Sequence, residues 1–178
     1  ARAESQRQEA LARMSNAAER YIKVYTASKL LRWSIERFRE SKQGPMLVRA
    51  GNIFEGLTRG GFNRLVVDYE SEPFKLSGQR ATGGLVSIEG MSEGTRDQLF
   101  LALRLAALEL HLEQSLPLPF IADDLFINYD DGRAKAGLEA LSKLSEMTQV
   151  IFLSHHEHLV PVAQSVFGNR LNVIDLSK

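Results

Sequence analysis

Pro119-Phe120-Ile121-Ala122-Asp123-Asp124 is a short apolar run that ends in two carboxylates. Further on, Val150-Ile151-Phe152-Leu153 is a second such run, followed by Ser154-His155-His156-Glu157-His158. Between them, Gly132 to Met147 carries apolar residues at amphipathic-helix spacing. Thr95 to Glu113 before the first run and Glu157 to Val166 after the second read as helices too. Leu171 to Ile174 reads as a last strand. Buried strands alternating with helices predict an α/β unit, a parallel sheet with helices packed on it. Ligands of such sheets sit beyond the carboxyl ends of the strands. Asp123, Asp124, Ser154 and His155 are placed there.

Upstream the pattern changes. Phe62 to Glu70 alternates as a strand, with Leu65, Val67 and Tyr69 on one face. Lys75-Leu76 and Leu85 to Ile88 read as two more short strands, so a small antiparallel meander is expected. Met46 to Leu57 reads as a short helix closed by the Gly60-Gly61 turn. From Ala1 to Lys42 there is neither Gly nor Pro. Leu11, Met14, Ala18, Tyr21, Tyr25, Leu31, Ile35 and Phe38 form a helical stripe of coiled-coil type. Such a helix would reach ~60 Å and protrude as a stem. Gln43-Gly44-Pro45 is expected to end it. The predicted division is a coiled-coil stem over 1–43 and an α/β lobe over 44–178.

The 178 residues suffice for one domain with a substantial core, and 44% hydrophobic with 25% charged residues is ordinary globular composition. No run of about 18 apolar residues offers a membrane span, and nothing at the start resembles a signal peptide. The absence of cysteine excludes disulfides and thiolate metal sites and fits a reducing, cytoplasmic setting. Net charge is zero, but residues 1–42 hold ten Lys/Arg against five Asp/Glu. A basic stem suits contact with nucleic acid; a solvated helix with an acidic partner elsewhere has the same charge pattern.

Three segments carry chemistry. A strand ending in Asp123-Asp124 suits Mg²⁺ at the first acid and an oriented water at the second, or a simple cap of the following turn. Met91-Ser92-Glu93-Gly94-Thr95-Arg96-Asp97-Gln98-Leu99 places Ser and Gly just before a long helix. That is a place for a phosphate, or an ordinary N-cap. Leu153-Ser154-His155-His156-Glu157-His158 offers a histidine to a phosphate oxygen, and its three histidines also invite a zinc reading. Against zinc, no H-E-x-x-H occurs, and adjacent His155 and His156 are expected to point apart. A Ser-His-Asp triad lacks the G-x-S-x-G elbow.

Taken in order, these segments resemble the C-terminal lobe of ABC-type ATPase heads of the SMC-like family, especially the SbcC- and YhaN-type bacterial DNA repair ATPases. That lobe runs stem, small β region, signature, helix, Walker B, D-loop, helix, strand, switch histidine. The resemblance covers nearly the whole chain, and Met91 to His156 is its specific part. It implies that Ser92 and Gly94 meet the γ-phosphate of an opposing protomer, and that Asp130 lies at the dimer interface. It implies Asp123 near Mg²⁺, with Asp124 and His155 as catalytic residues. Arg104 matches an arginine of the coupling helix, or snorkels from a core helix. Glu93 stands where the family has Gly, and Asp124 where it usually has Glu.

No G-x-x-x-x-G-K-S/T phosphate loop occurs. In the family that loop lies in the N-terminal lobe, so the chain reads as a piece beginning partway down the returning coiled-coil strand, inactive alone. Implied cofactors are ATP and Mg²⁺. Implied partners are the N-terminal lobe, a second head, DNA and a metallo-phosphoesterase nuclease, with no membrane. A slow ATP-gated tether and a metal-dependent hydrolase using Asp123, Asp124 and the histidines are the alternatives.

Overall fold

Helix α1 spans Arg2–Leu57 and contains Pro45 in its interior. The computed structural model describes the backbone of residues 2–69, 71 and 73–176. The expected stop at Gln43-Gly44-Pro45 is therefore corrected: the helical backbone runs on through it. Proline removes one helical hydrogen bond and crowds the preceding turn, costing ~3 kcal/mol. The helical turns beyond it are held by burial of Ala50, Phe54 and Leu57, so that cost does not unwind them. The division into two compact units, Ala1–Gly44 and Pro45–Lys178, falls at the same dipeptide.

In the first unit, Leu11, Met14, Tyr21, Tyr25, Leu31, Ile35 and Phe38 are all exposed. Surface ion pairs link Glu9 to Arg13 and Glu19 to Lys23, both at 2.6 Å. Pairs of this kind add little stability.

The second unit begins with the last part of α1. Strands β1 (Phe62–Asp68), β2 (Lys75–Arg80) and β3 (Leu85–Ser87) follow as an antiparallel sheet in the order β1-β2-β3. The turn before β1 needs left-handed backbone at Arg59 and Gly60. The meander is as expected, although the predicted end of its first strand at Glu70 lies outside the described residues. Next come α2 (Glu93–Leu112), β4 (Phe120–Asp123), α3 (Asp131–Leu144), β5 (Val150–Leu153) and α4 (Leu159–Phe167). Strands β4 and β5 pair in parallel, with Ile121 opposite Ile151 and Asp123 opposite Leu153.

A strand at Leu171–Ile174 is not formed. Among the described residues the parallel sheet has only β4 and β5, and Val173 and Ile174 are exposed. An apolar run becomes a strand only beside a hydrogen-bonding neighbour, and the described chain offers it none.

The core forms where α2 lays Leu99, Ala102, Leu105 and Ala106 against Phe54, Leu57, Leu138 and Leu141. These α2 positions recur at three- and four-residue spacing, as a one-sided helix requires. Buried Gln98 donates through Nε2 to the Leu57 carbonyl, satisfying one of the orphan carbonyls at the end of α1. Arg49 reaches Glu109 of α2 at 3.7 Å and Glu113, the C-cap of that helix, at 2.7 Å.

Candidate functional site

The carboxyl ends of β4 and β5 bring the expected acids and histidine together. Asp123 is the last residue of β4 and is exposed. At Asp124 the chain turns through a left-handed backbone, with φ +46°. Asparagine and aspartate tolerate that region better than most residues. The Asp124 amide donates to the Leu153 carbonyl at 3.0 Å, extending the parallel ladder by one bond. Its carboxylate Oδ2 lies 2.8 Å from Nδ1 of His155. Burial pushes the Asp124 carboxyl upward, but the hydrogen bond and charge of His155 outweigh it and leave the group below its ordinary value. His155 itself is largely exposed, with its ring open to solvent.

The segment from Met91 to Leu99 builds a second cluster at the start of α2. Ser92 is the N-cap, and its Oγ accepts from the Thr95 amide at 3.4 Å and meets the Thr95 hydroxyl at 2.8 Å. Ser92 is exposed and Gly94 buried. A Cβ on Gly94 would stand 3.1 Å from both the Asn128 carbonyl oxygen and an Arg133 guanidinium nitrogen. Glycine is required there by close approach, not by backbone angle. Glu93 is exposed. Asp130 caps α3, accepting from the Arg133 amide at 2.9 Å, and also lies 3.4 Å from Arg133 Nε. Asn128 donates to Asp97 of α2 at 3.1 Å. The segment from Asn128 to Arg133 is thereby pinned to the start of α2.

A pocket of about 280 Å³ joins the two clusters, lined among others by Asp97, Arg104, Asp123, Asp124 and Asn128. Arg104 thus faces the acids from α2. Tyr129 is a neighbour of another kind. Burial, with Asp97 adding, drives its phenol far above the ordinary range against the opposing charge of Arg133. It stays neutral and takes no part in acid–base chemistry near neutral pH.

Sequence reasoning missed two arginines and a histidine. Arg133 links Asp130 to Gly94, and Arg59 approaches so near Gly132 that a Cβ there would stand 2.6 Å from it. No local pattern announces either contact, because both bridge distant segments. His156, expected to point away from His155, packs with a ring-centroid distance of 3.9 Å. In the turn after β5 the His156 amide donates to Ser154 Oγ at 3.1 Å.

No family model matches the chain. Solved structures do. An SMC ATPase chain from a study of ATP-driven dimerization and DNA-stimulated activation superposes with a TM-score of 0.57 at 21% identity, over 73% of this chain and 76% of that one. The Smc head of Pyrococcus furiosus bound to the C-terminal domain of ScpA gives 0.52 at 21% identity, over 68% and 30%. The SMC head of Thermotoga maritima gives 0.50 at 19%, over 75% and 44%. The chain has the α/β fold of the C-terminal part of an SMC-like, ABC-type ATPase head, and it begins with a long helix. Among curated proteins it is similar to YhaN of Bacillus subtilis (strain 168), an uncharacterized protein, at 28% identity over 148 residues. That match covers 83% of this chain but spans only 15% of the length of YhaN.

Proposed function

We propose that this chain supplies the signature, Walker B and switch residues of an SMC-like ATPase. Its complete form binds Mg-ATP between two heads and hydrolyses it. The observation that carries this reading is the meeting of Asp124 and His155, 2.8 Å apart beyond the ends of neighbouring parallel strands. His155, held by Asp124 at Nδ1, offers its other ring nitrogen to a γ-phosphate oxygen. Asp124 orients the attacking water. Asp123, an exposed carboxylate lining the same pocket, suits the oxygen-only preference of Mg²⁺. When bound, Mg²⁺ neutralises phosphate charge. Ser92 and the α2 N-terminus serve the nucleotide of the opposing head, and Asp130 sits at that interface. Residues 1–43 form the stem and 44–178 the lobe. The stem, basic over 1–42, carries the motion to DNA. A DNA repair setting and a metallo-phosphoesterase nuclease partner rest on the family resemblance.

The test uses the complete protein, which supplies the phosphate loop. Ser92→Arg is expected to abolish ATP-dependent dimerisation, measured by light scattering. Asp124→Asn should keep the dimer and lower turnover by about 10²-fold or more, the scale of a lost general base. ATP turnover by this chain alone, or turnover indifferent to Asp124→Asn, would overturn the reading.

One observation favours a second reading, a slow ATP-gated tether. The Asp124 carboxyl is held below its ordinary value by His155, which makes it a weaker proton acceptor. Turnover of the complete protein with and without DNA separates the two: a tether stays slow in both.

A further inference from the structure

The nucleotide reading leaves His156 without a task, yet the structure places it in the same cluster. One ligating atom each from Asp124, His155 and His156 lie within 4.8 Å of one another. Two polar atoms of this cluster, Asp124 Oδ1 and His156 Nε2, are buried with no hydrogen-bond partner. Leaving such an atom unsatisfied in the interior is unfavourable. Two in one place, beside a third ligating group, call for a shared partner. The donor set is two imidazoles and one carboxylate. It matches the borderline preference of Zn²⁺ and its neighbours and is a poor match to Mg²⁺, which takes oxygen.

We propose that Asp124, His155 and His156 form a binding site for one zinc-type divalent ion, with its remaining position open to solvent. First-row ions hold nitrogen and oxygen at about 2.0–2.2 Å, so small side-chain rotations suffice to close three atoms already this near around one ion. Nδ1 of His155 and Oδ2 of Asp124, 2.8 Å apart, need open by only about 0.5 Å to span a tetrahedral ion, and the unpartnered Oδ1 of the same carboxylate is the alternative donor. The ion takes the place of the proton between them, and the imidazole keeps its proton on Nε2. His158, whose ring centroid is 5.4 Å from that of His156, is outside the ligand set. A bound ion withdraws Asp124 and His155 from a nucleotide, so the site would act as an inhibitory input. That consequence rests on the nucleotide reading; the ion binding does not.

The experiment titrates the untagged 178-residue chain with Zn²⁺ by calorimetry and with Co²⁺ by visible absorption, both in excess Mg²⁺ and without nucleotide. One ion per chain is expected, undisturbed by Mg²⁺, with cobalt bands of low-coordinate nitrogen and oxygen ligation. His156→Gln and the near-isosteric Asp124→Asn should each weaken binding by more than the ~10- to 100-fold that loss of an outer-shell partner costs. His158→Gln should leave it unchanged. Absence of saturable binding, displacement by Mg²⁺, or equal loss in His158→Gln would overturn the site. Circular dichroism guards each variant, and the wild-type titration stands even if one variant fails to fold. Since no nucleotide is present, a failure here leaves the ATPase reading untouched, and the reverse holds.

Discussion

On the proposed reading, Asp124 concentrates most of the chemistry in one residue. Its left-handed backbone turns the carboxylate off the strand end and toward His155. The contact has a pH signature whose sign follows from linkage. A carboxyl held below its unfolded value contributes stability that is complete above that value and lost as pH falls through the folded one. The His155→Gln variant should therefore be less stable than wild type above about pH 4, the ordinary Asp range. The difference should vanish in more acid solution. Denaturant titrations across pH 3 to 7 check this, and NMR titration should show the Asp124 carboxyl rising toward its ordinary value in the variant. A gap that persists at low pH would show that the contact is not what holds the carboxyl down. The residue types were legible in the sequence at this scale, since an apolar run ending in two acids is a local pattern. The pairing with His155 was not, because it depends on two strands lying side by side.

Elements place the site by their ends. Ser92 and Asp130 are both N-caps, and the bond that satisfies each helix start also fixes a functional segment. Behind them, α3 packs through Gly137 onto the ring of Phe126, which lies between Tyr129 and Phe152 at centroid distances of 5.3 and 5.2 Å. A Cβ on Gly137 would stand 2.3 Å from Phe126. Gly137→Ala should destabilise the fold, because overpacking costs about 1–3 kcal/mol against a helix-propensity gain of up to about 1 kcal/mol. Urea denaturation measures it, and a variant as stable as wild type would mean that the Phe126 stack yields freely. The helix pattern of α3 was legible from its apolar spacing. The need for glycine was not, since nothing local names the ring that approaches. Pro45 teaches the converse: a sound local stop signal is overridden where the following turns are buried.

At the scale of the lobe, the two-stranded sheet is covered on one face. Phe120, Ala122, Val150 and Phe152 turn toward the core, while Ile121, Ile151 and Leu153 are exposed on the other. Parallel sheets are normally covered on both faces, and a contiguous exposed apolar patch marks an interaction surface. On the proposed reading its cover is the N-terminal lobe of the complete head. Ile121→Lys should weaken association of the two separately expressed lobes by about 10- to 100-fold, the equivalent of losing burial of one isoleucine, about 1.5–3 kcal/mol. Calorimetry of lobe mixing tests this, and unchanged affinity would place the N-terminal lobe elsewhere. The membrane offers no competing cover through helices: among the described residues no helix is long and apolar enough to cross one.

The sequence alone determined the alternation of helices with buried strands, the antiparallel meander, and the residues at the strand ends. All of these are local, set by apolar spacing, turn residues and the order of short segments along the chain. Tertiary structure decided what the side chains meet. It carried α1 through Pro45 and left Leu171–Ile174 without a partner strand. It also set Arg133 against Gly94 and swung His156 onto His155. The first three share a physical reason: each depends on burial or contact between segments that neighbour one another only after folding. The fourth lies in the turn after β5, where the His156 amide bonds Ser154 Oγ.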